Sequence, residues 1–191
     1  MADASGLAFL SLGSNIAPLQ HLPAAVHALR RLGTIAGVSP AVESAAWGST
    51  AQPEFVNAAV LLQTRLSPAD LHAQLRLIEA ALGRVRTSDK FAPRGIDLDL
   101  CLYGSTVLEG PPVRLPDPAI LERAYLCHTL AALAPDFPHP LTGESLQAIA
   151  LRVAAGADLR PRPEVTAALR RAAGLEMARP APGVTDAEDH S

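Results

Sequence analysis

Residues 83–103 read G-R-V-R-T-S-D-K-F-A-P-R-G-I-D-L-D-L-C-L-Y. From Ile96 onward apolar and polar residues alternate strictly, which predicts an extended strand. Ile96, Leu98, Leu100 and Leu102 fall on a face suited to a core. Asp97, Asp99, Cys101 and Tyr103 fall on the other. The two carboxylates at i and i+2 point the same way, with Cα atoms roughly 6.5–7 Å apart. Like charges that close repel, and one tends to stay protonated unless a cation intervenes. Oxygen ligands on a rigid strand suit Mg²⁺, which takes one or two carboxylates and completes its shell with water and phosphate oxygens. Arg84, Arg86, Lys90 and Arg94 crowd the loop before the strand, and guanidinium forks match phosphate oxygens. Taken singly, Asp-x-Asp on a strand reads as a solvated face, and a basic loop as a weak anion patch. Side by side they make a site for a metal–polyphosphate complex such as MgATP, because each needs the other's ligand.

The chain has 191 residues, enough for one domain with a real core. A formal net charge of −3 argues against a nucleic-acid or membrane-surface protein. Cys101 and Cys127 lack the C-x-x-C spacing of a metal or redox pair. The apolar run Leu7–Leu12 is too short for a secretion signal, and no stretch approaches a membrane span. The expected location is the cytoplasm.

Leu7–Leu12 reads as a buried strand, and Gly13-Ser14-Asn15 as a turn. A helix is predicted from Pro18 to Leu32, with Gly33 as its stop. Residues 34–47 are mixed, with a strand expected over the second half and a loop through Gly48–Pro53. Glu54–Thr64 reads as a strand with Asn57 inside an apolar run. A buried Asn must spend its donors and carbonyl on a backbone neighbour or on a flat heterocycle with complementary edges. Ser67-Pro68-Ala69-Asp70 signals a helix start, and Leu71, Leu75, Ile78 and Leu82 its buried stripe. The order strand, helix, strand, strand, helix, strand predicts an α+β sandwich of the ferredoxin-like kind, with a largely antiparallel sheet. Beyond it, a helix is expected over Leu121–Leu133, a last core helix to about Ala155, and a short helix over Glu164–Ala173. Glu176–Ser191 has nothing to bury and is expected to be disordered. P-loop, dinucleotide-binding and G-x-S-x-G patterns are absent, as is a His cluster for zinc.

Five segments in order carry a resemblance: L-G-S-N at Leu12–Asn15, F-V-N-A-A-V at Phe55–Val60, G-R-V-R at Gly83–Arg86, P-R-G-I-D-L-D at Pro93–Asp99 and E-R-A-Y at Glu122–Tyr125. With them the chain resembles the 6-hydroxymethyl-7,8-dihydropterin pyrophosphokinase family of folate biosynthesis, over roughly Leu7 to Ala155. The resemblance implies transfer of the terminal pyrophosphate of ATP to the pterin hydroxymethyl group, giving AMP. It implies that Asp97 and Asp99 hold two Mg²⁺ ions, and that Arg84 and Arg94 contact phosphates from a mobile loop. Phe55 and Tyr125 match the aromatic pair that stacks the pterin, and Asn57 the residue that reads its edge. Ser44, Ala45 and Ala46 match the backbone loop around the ring. Arg86, Lys90, Phe91, Asp117 and Arg123 fall at ATP-contacting positions. The expected organisation is a pyrophosphokinase domain over residues 1–158 and an Ala/Pro-rich, partly disordered tail over 159–191. A monomer acting on small molecules is expected.

Three positions depart from the family pattern. Phe91 stands where the family usually has Trp, Ala45-Ala46 where it often has Pro-Pro, and Asp117 where it has a phosphate-contacting His. Two other readings stay open: a metal-dependent phosphohydrolase using the same acids, and a non-catalytic nucleotide-binding descendant.

Overall fold

Strand β1 (Gly6–Ser14) runs inside an antiparallel sheet, between β4 (Phe55–Thr64) on one side and β5 (Asp97–Tyr103) on the other. The structure is a computed structural model and describes residues 6–45, 53–84 and 94–175. Between β1 and β4 the chain forms α1 (Pro18–Leu29), β2 (Thr34–Val38) and β3 (Val42–Ser44). Helix α2 (Pro68–Ala81) precedes β5. After β5 come a 3₁₀ turn (Pro118–Leu121), α3 (Ala124–Ala131), α4 (Leu146–Val153), β6 (Arg160–Pro161) and α5 (Pro163–Ala173). Among the described residues the sheet order is β5-β1-β4-β3-β6, with β2 also paired to β4. Counting β2 and β3 as one interrupted strand, this is the ferredoxin-like path expected from the sequence.

Two cores sit on the two faces of this sheet. On one, Leu10, Leu12, Val60 and Leu98 pack with Leu22 and Val26 of α1, Leu71 and Leu75 of α2, and Leu169 of α5. On the other, Phe9, Cys101 and Leu102 pack with Leu126, Leu130 and Ile149. Each such side chain contributes about 1.5–3 kcal/mol by leaving water.

Several boundaries differ from the sequence reading. Along β5 the alternation holds only to Leu100. Phe9 pairs with Leu102 and Leu10 with Leu100, so Cys101 is an extra residue. The bulge turns Leu102 onto the face of α3 and α4 instead of the face of Leu98, because a bulge resets the two-residue period. Helix α1 ends at Leu29 rather than Leu32. Gly33 is not its stop. A Cβ there would lie 2.1 Å from the Gln63 carbonyl oxygen, so the glycine lets the chain pass against β4. The strand expected over the second half of residues 34–47 is two strands, one in each half, split at Ser39-Pro40. Pro40 has no N–H for the ladder, and Ser39 Oγ accepts the Ala59 N–H at 2.8 Å beside the break. The helix expected over Leu121–Leu133 is interrupted at Arg123, whose backbone is extended. Ser67 caps α2 as expected, its Oγ accepting the Asp70 N–H at 3.1 Å.

The expected division at 158/159 falls between α4 and β6. Beyond it Val165, Leu169 and Ala173 are buried in the core shared with α1. Glu176–Ser191 lies outside the described residues. No helix among the described residues is long and apolar enough to cross a membrane.

Candidate active site

The site grows from one row of residues across three strands. Gly13 of β1 pairs with Asn57 of β4 on one side and with Asp97 of β5 on the other. Their side chains share a face, and the next row on that face is Ala59, Ser11 and Asp99. Small residues in the middle leave the face open between Asn57 and the two carboxylates. A Cβ on Gly13 would stand 3.2 Å from Asn57 Oδ1, 3.7 Å from Phe55 Cδ1 and 3.9 Å from Asp97 Cβ. Phe55, Asn57 and Asp97 therefore surround the bare backbone of Gly13.

Asn57 is 4 % exposed. Its Nδ2 donates to Ser44 Oγ at 3.1 Å and to the Phe55 carbonyl at 3.3 Å. Ser44 thus enters through its hydroxyl, where the sequence reading had its backbone, and Ala45 is exposed. Ala46, Arg86, Lys90 and Phe91 lie outside the described residues.

The acids are met by arginines. Asp97 accepts from Arg94 Nη1 at 2.6 Å and from Arg84 Nη1. Asp99 accepts from Arg76 Nη2 at 2.9 Å. Burial pushes Asp97 up, but the charges and hydrogen bonds of Arg84 and Arg94 outweigh it and hold the carboxyl below its ordinary value. Asp99 is pushed up to about 6 by burial and by the charge of Asp97, against the pull of Arg76. Its side chain keeps 46 % of its surface, so water tempers the burial effect.

Three residues given no role from the sequence organise this cluster. Glu79 on α2 is 1 % exposed, although it is an acid. It accepts from Arg76 Nη1 at 2.8 Å, from Arg84 Nη1 and from the Leu98 backbone N–H at 2.8 Å. Strand β5 ends the sheet order at this side, so Glu79 satisfies an edge N–H and holds two guanidiniums at once. Arg76 bridges Glu79 and Asp99. Asn15 follows β1 and ties two distant segments together. Its Oδ1 accepts the Arg94 N–H at 2.6 Å, and its Nδ2 donates to the Pro53 carbonyl at 3.3 Å.

Asp117 is docked beside β5, its N–H donating to the Cys101 carbonyl at 2.9 Å. Its carboxylate caps the 3₁₀ turn, accepting the Ala119 N–H at 2.9 Å. Burial raises its pKa, opposed by that backbone bond and by Arg123. Arg123 Nη1 donates to the Tyr125 hydroxyl at 3.1 Å, and burial raises the Tyr125 hydroxyl.

The donor set fits a divalent cation. Two carboxylates share a face, and Asp99 is raised by burial and by the charge of Asp97, a conflict that a cation relieves. No group of three or more acidic, His or Cys side chains among the described residues is arranged to hold a metal. An ion here would complete its shell with water or substrate oxygens, as Mg²⁺ does.

A family model described as 7,8-dihydro-6-hydroxymethylpterin-pyrophosphokinase (HPPK) matches residues 9–135. A 2-amino-4-hydroxy-6-hydroxymethyldihydropteridine pyrophosphokinase of Pseudomonas aeruginosa is 39 % identical over 135 residues, covering 69 % of this chain and 83 % of that protein. One of Synechocystis is 36 % identical over 145 residues, covering 73 % and 72 %. Among solved structures, the HPPK-DHPS protein of Plasmodium falciparum superposes with a TM-score of 0.64 at 12 % identity, a likeness of fold. That match covers 79 % of this chain and 44 % of the Plasmodium chain. With the matched residues spanning β1, the Asp strand and α3, the chain belongs to the HPPK family, the pyrophosphokinases of folate synthesis, which use ATP as co-substrate.

Proposed function

We propose that this chain transfers the β,γ-diphosphoryl group of ATP to 6-hydroxymethyl-7,8-dihydropterin on the face built by Asn57, Gly13 and Asp97. The observation that carries this reading is the row itself. Strands lie about 4.8 Å apart, so Asn57 and Asp97, two strands apart, are separated by roughly 10 Å. That span accommodates a flat two-ring heterocycle over Gly13, with one edge at Asn57 and its hydroxymethyl arm toward the carboxylates. Phe55 and Tyr125 supply the ring contacts, and Ser44 orients the amide of Asn57.

Asp97 and Asp99 are the residues to hold two Mg²⁺ ions. Bound there, the ions would lower the pKa of the hydroxyl and balance charge on the phosphates. The hydroxymethyl oxygen gives up its proton to water as it attacks the β-phosphorus, the bond from that phosphorus to the α,β-bridging oxygen breaks, and AMP leaves. Arg84 and Arg94, held on Asp97 by charge, exchange that carboxylate for phosphate oxygens when ATP arrives. Glu79 keeps Arg84 within reach during the exchange. Arg123 and Asp117 lie near enough to Asp99 for their charges to act on one another, and are the residues assigned to the nucleotide end.

The test is an AMP assay with MgATP in the presence and absence of the pterin. AMP formed only when the pterin is present supports transfer. AMP or phosphate released equally without it would support hydrolysis instead.

A further inference from the structure

Residues 160–173 lie beyond the matched stretch 9–135 and return to the sheet beside the pterin end of the site. Strand β6 pairs along the outside of β3, Pro161 opposite Val42 and Arg160 opposite Glu43. The Arg162 N–H donates to the Ala41 carbonyl at 2.9 Å. Thr166 Oγ1 accepts the Ala41 N–H at 2.8 Å and donates to the Arg162 carbonyl at 3.1 Å. Arg162 Nη1 donates to Glu43 Oε1 at 2.7 Å, and Arg160 pairs with Glu54 and, at 3.6 Å, with Glu43. Glu43 and Glu54 flank residues 46–52 on either side. Helix α5 anchors the arrangement by burying Val165, Leu169 and Ala173.

Strand β3 has only three residues, so few ladder bonds fix it from either side and a second partner adds to its hold. β4 is one and β6 the other. The last residue of β3 is Ser44, which receives the Nδ2 of Asn57. Exposed ion pairs such as Arg160–Glu54 contribute little alone. The weight therefore rests on Thr166 and Arg162, which hold the buried Ala41 by both its backbone groups.

We propose that the segment 160–166 is a positioning clamp for the pterin subsite. It fixes β3, and through Ser44 it aims Asn57. The clamp rests on the reading of Asn57 as the pterin contact. Arg162 and Thr166 touch neither substrate in it and act through β3.

The test uses the full chain carrying Thr166→Val, which removes the acceptor of the Ala41 N–H, with Arg162→Met, which removes the guanidinium pair with Glu43 but leaves the Arg162 main-chain N–H in place, and separately Thr166→Ser, which keeps the hydroxyl. Dissociation constants are measured for hydroxymethyl-dihydropterin and for an Mg²⁺-bound non-hydrolysable ATP analogue, with the melting temperature alongside. The double variant should bind the pterin about tenfold more weakly, the scale of one lost buried hydrogen bond, with ATP-analogue binding changed less than about twofold. Thr166→Ser should keep wild-type pterin affinity. A lower melting temperature with unchanged pterin affinity would overturn the clamp and leave the segment a purely structural brace. Equal weakening of both ligands would overturn it as well. Absence of pterin binding by the wild-type protein would overturn the reading beneath it, whereas failure of the clamp alone leaves wild-type binding intact.

Discussion

Asn15 and Arg94 grip each other through two hydrogen bonds: the Asn15 side chain accepts the Arg94 N–H at 2.6 Å, and the Asn15 N–H donates to the Arg94 carbonyl at 3.1 Å. Arg94 in turn holds Asp97. The end of β1 therefore sets where the last arginine before β5 stands. Asn15→Ala should lower kcat/KM by at least about tenfold, since a displaced charged group stabilises the transition state poorly. Melting should fall modestly. Steady-state kinetics beside a melting curve check this; unchanged kcat/KM with a large melting loss would make Asn15 structural only.

Glu79 is expected to matter for stability as much as for activity. Glu79→Ala leaves the Leu98 N–H unpaired and Arg76 and Arg84 without their shared buried acceptor. Arg76 and Arg84 keep Asp99 and Asp97, so the cost is about 1–3 kcal/mol, that of the unpaired Leu98 N–H. Urea unfolding measures it, and a loss well under about 1 kcal/mol, the scale of a surface pair, would contradict the assignment.

Gly13→Ala tests the row directly. The added methyl would press on Asn57 Oδ1 at 3.2 Å and fill the space over the sheet. Overpacking costs roughly 1–3 kcal/mol, so the pterin should bind about tenfold more weakly while the ATP analogue binds normally. Calorimetry with each ligand reads both, and normal pterin affinity would show that the ring does not lie there.

His139 gives a pH dependence of stability. It is 1 % exposed, with Nε2 lacking a hydrogen-bond partner among the described residues, and burial lowers its pKa below the ordinary 6.5. The unfolded chain therefore takes up this proton first, so stability present above the ordinary value is lost as pH falls through it. Asp99 works the other way: its raised value lets the folded chain take a proton first as pH falls through about 6, which adds stability. That effect is common to wild type and variant and cancels in a comparison. Between about pH 7 and 5.5, His139→Gln should lose less melting temperature than wild type. Parallel curves would contradict the assignment.

The sheet and the paired acids were legible because alternation around Asp97 and Asp99 encodes a strand with one polar face. The bulge at Cys101 was not, since an inserted residue leaves no mark in an alternating run. Glu79 left a signal: it follows Leu71 and Leu75 at the helical spacing, on the line buried in α2. The apolar Ile78 and Leu82 offer a competing stripe that hides it. Helix α5 matches the short helix expected over Glu164–Ala173, but its burial in the core was not legible. Val165, Leu169 and Ala173 recur every four residues, but surrounding Ala, Pro and Arg gave the stretch the look of a tail. Asn15 and Gly13 act through contacts distant in sequence, which no local pattern reports.

The most direct test of diphosphoryl transfer on the Asp97–Asp99 face uses ATP radiolabelled at the β-phosphorus, with hydroxymethyl-dihydropterin as acceptor. Wild type should place the label in the pterin product, and Asp97→Ala and Asp99→Ala should each slow that transfer by on the order of 10³-fold while remaining folded. Label recovered in ADP or in free pyrophosphate, or near-normal transfer in both variants, would contradict the account.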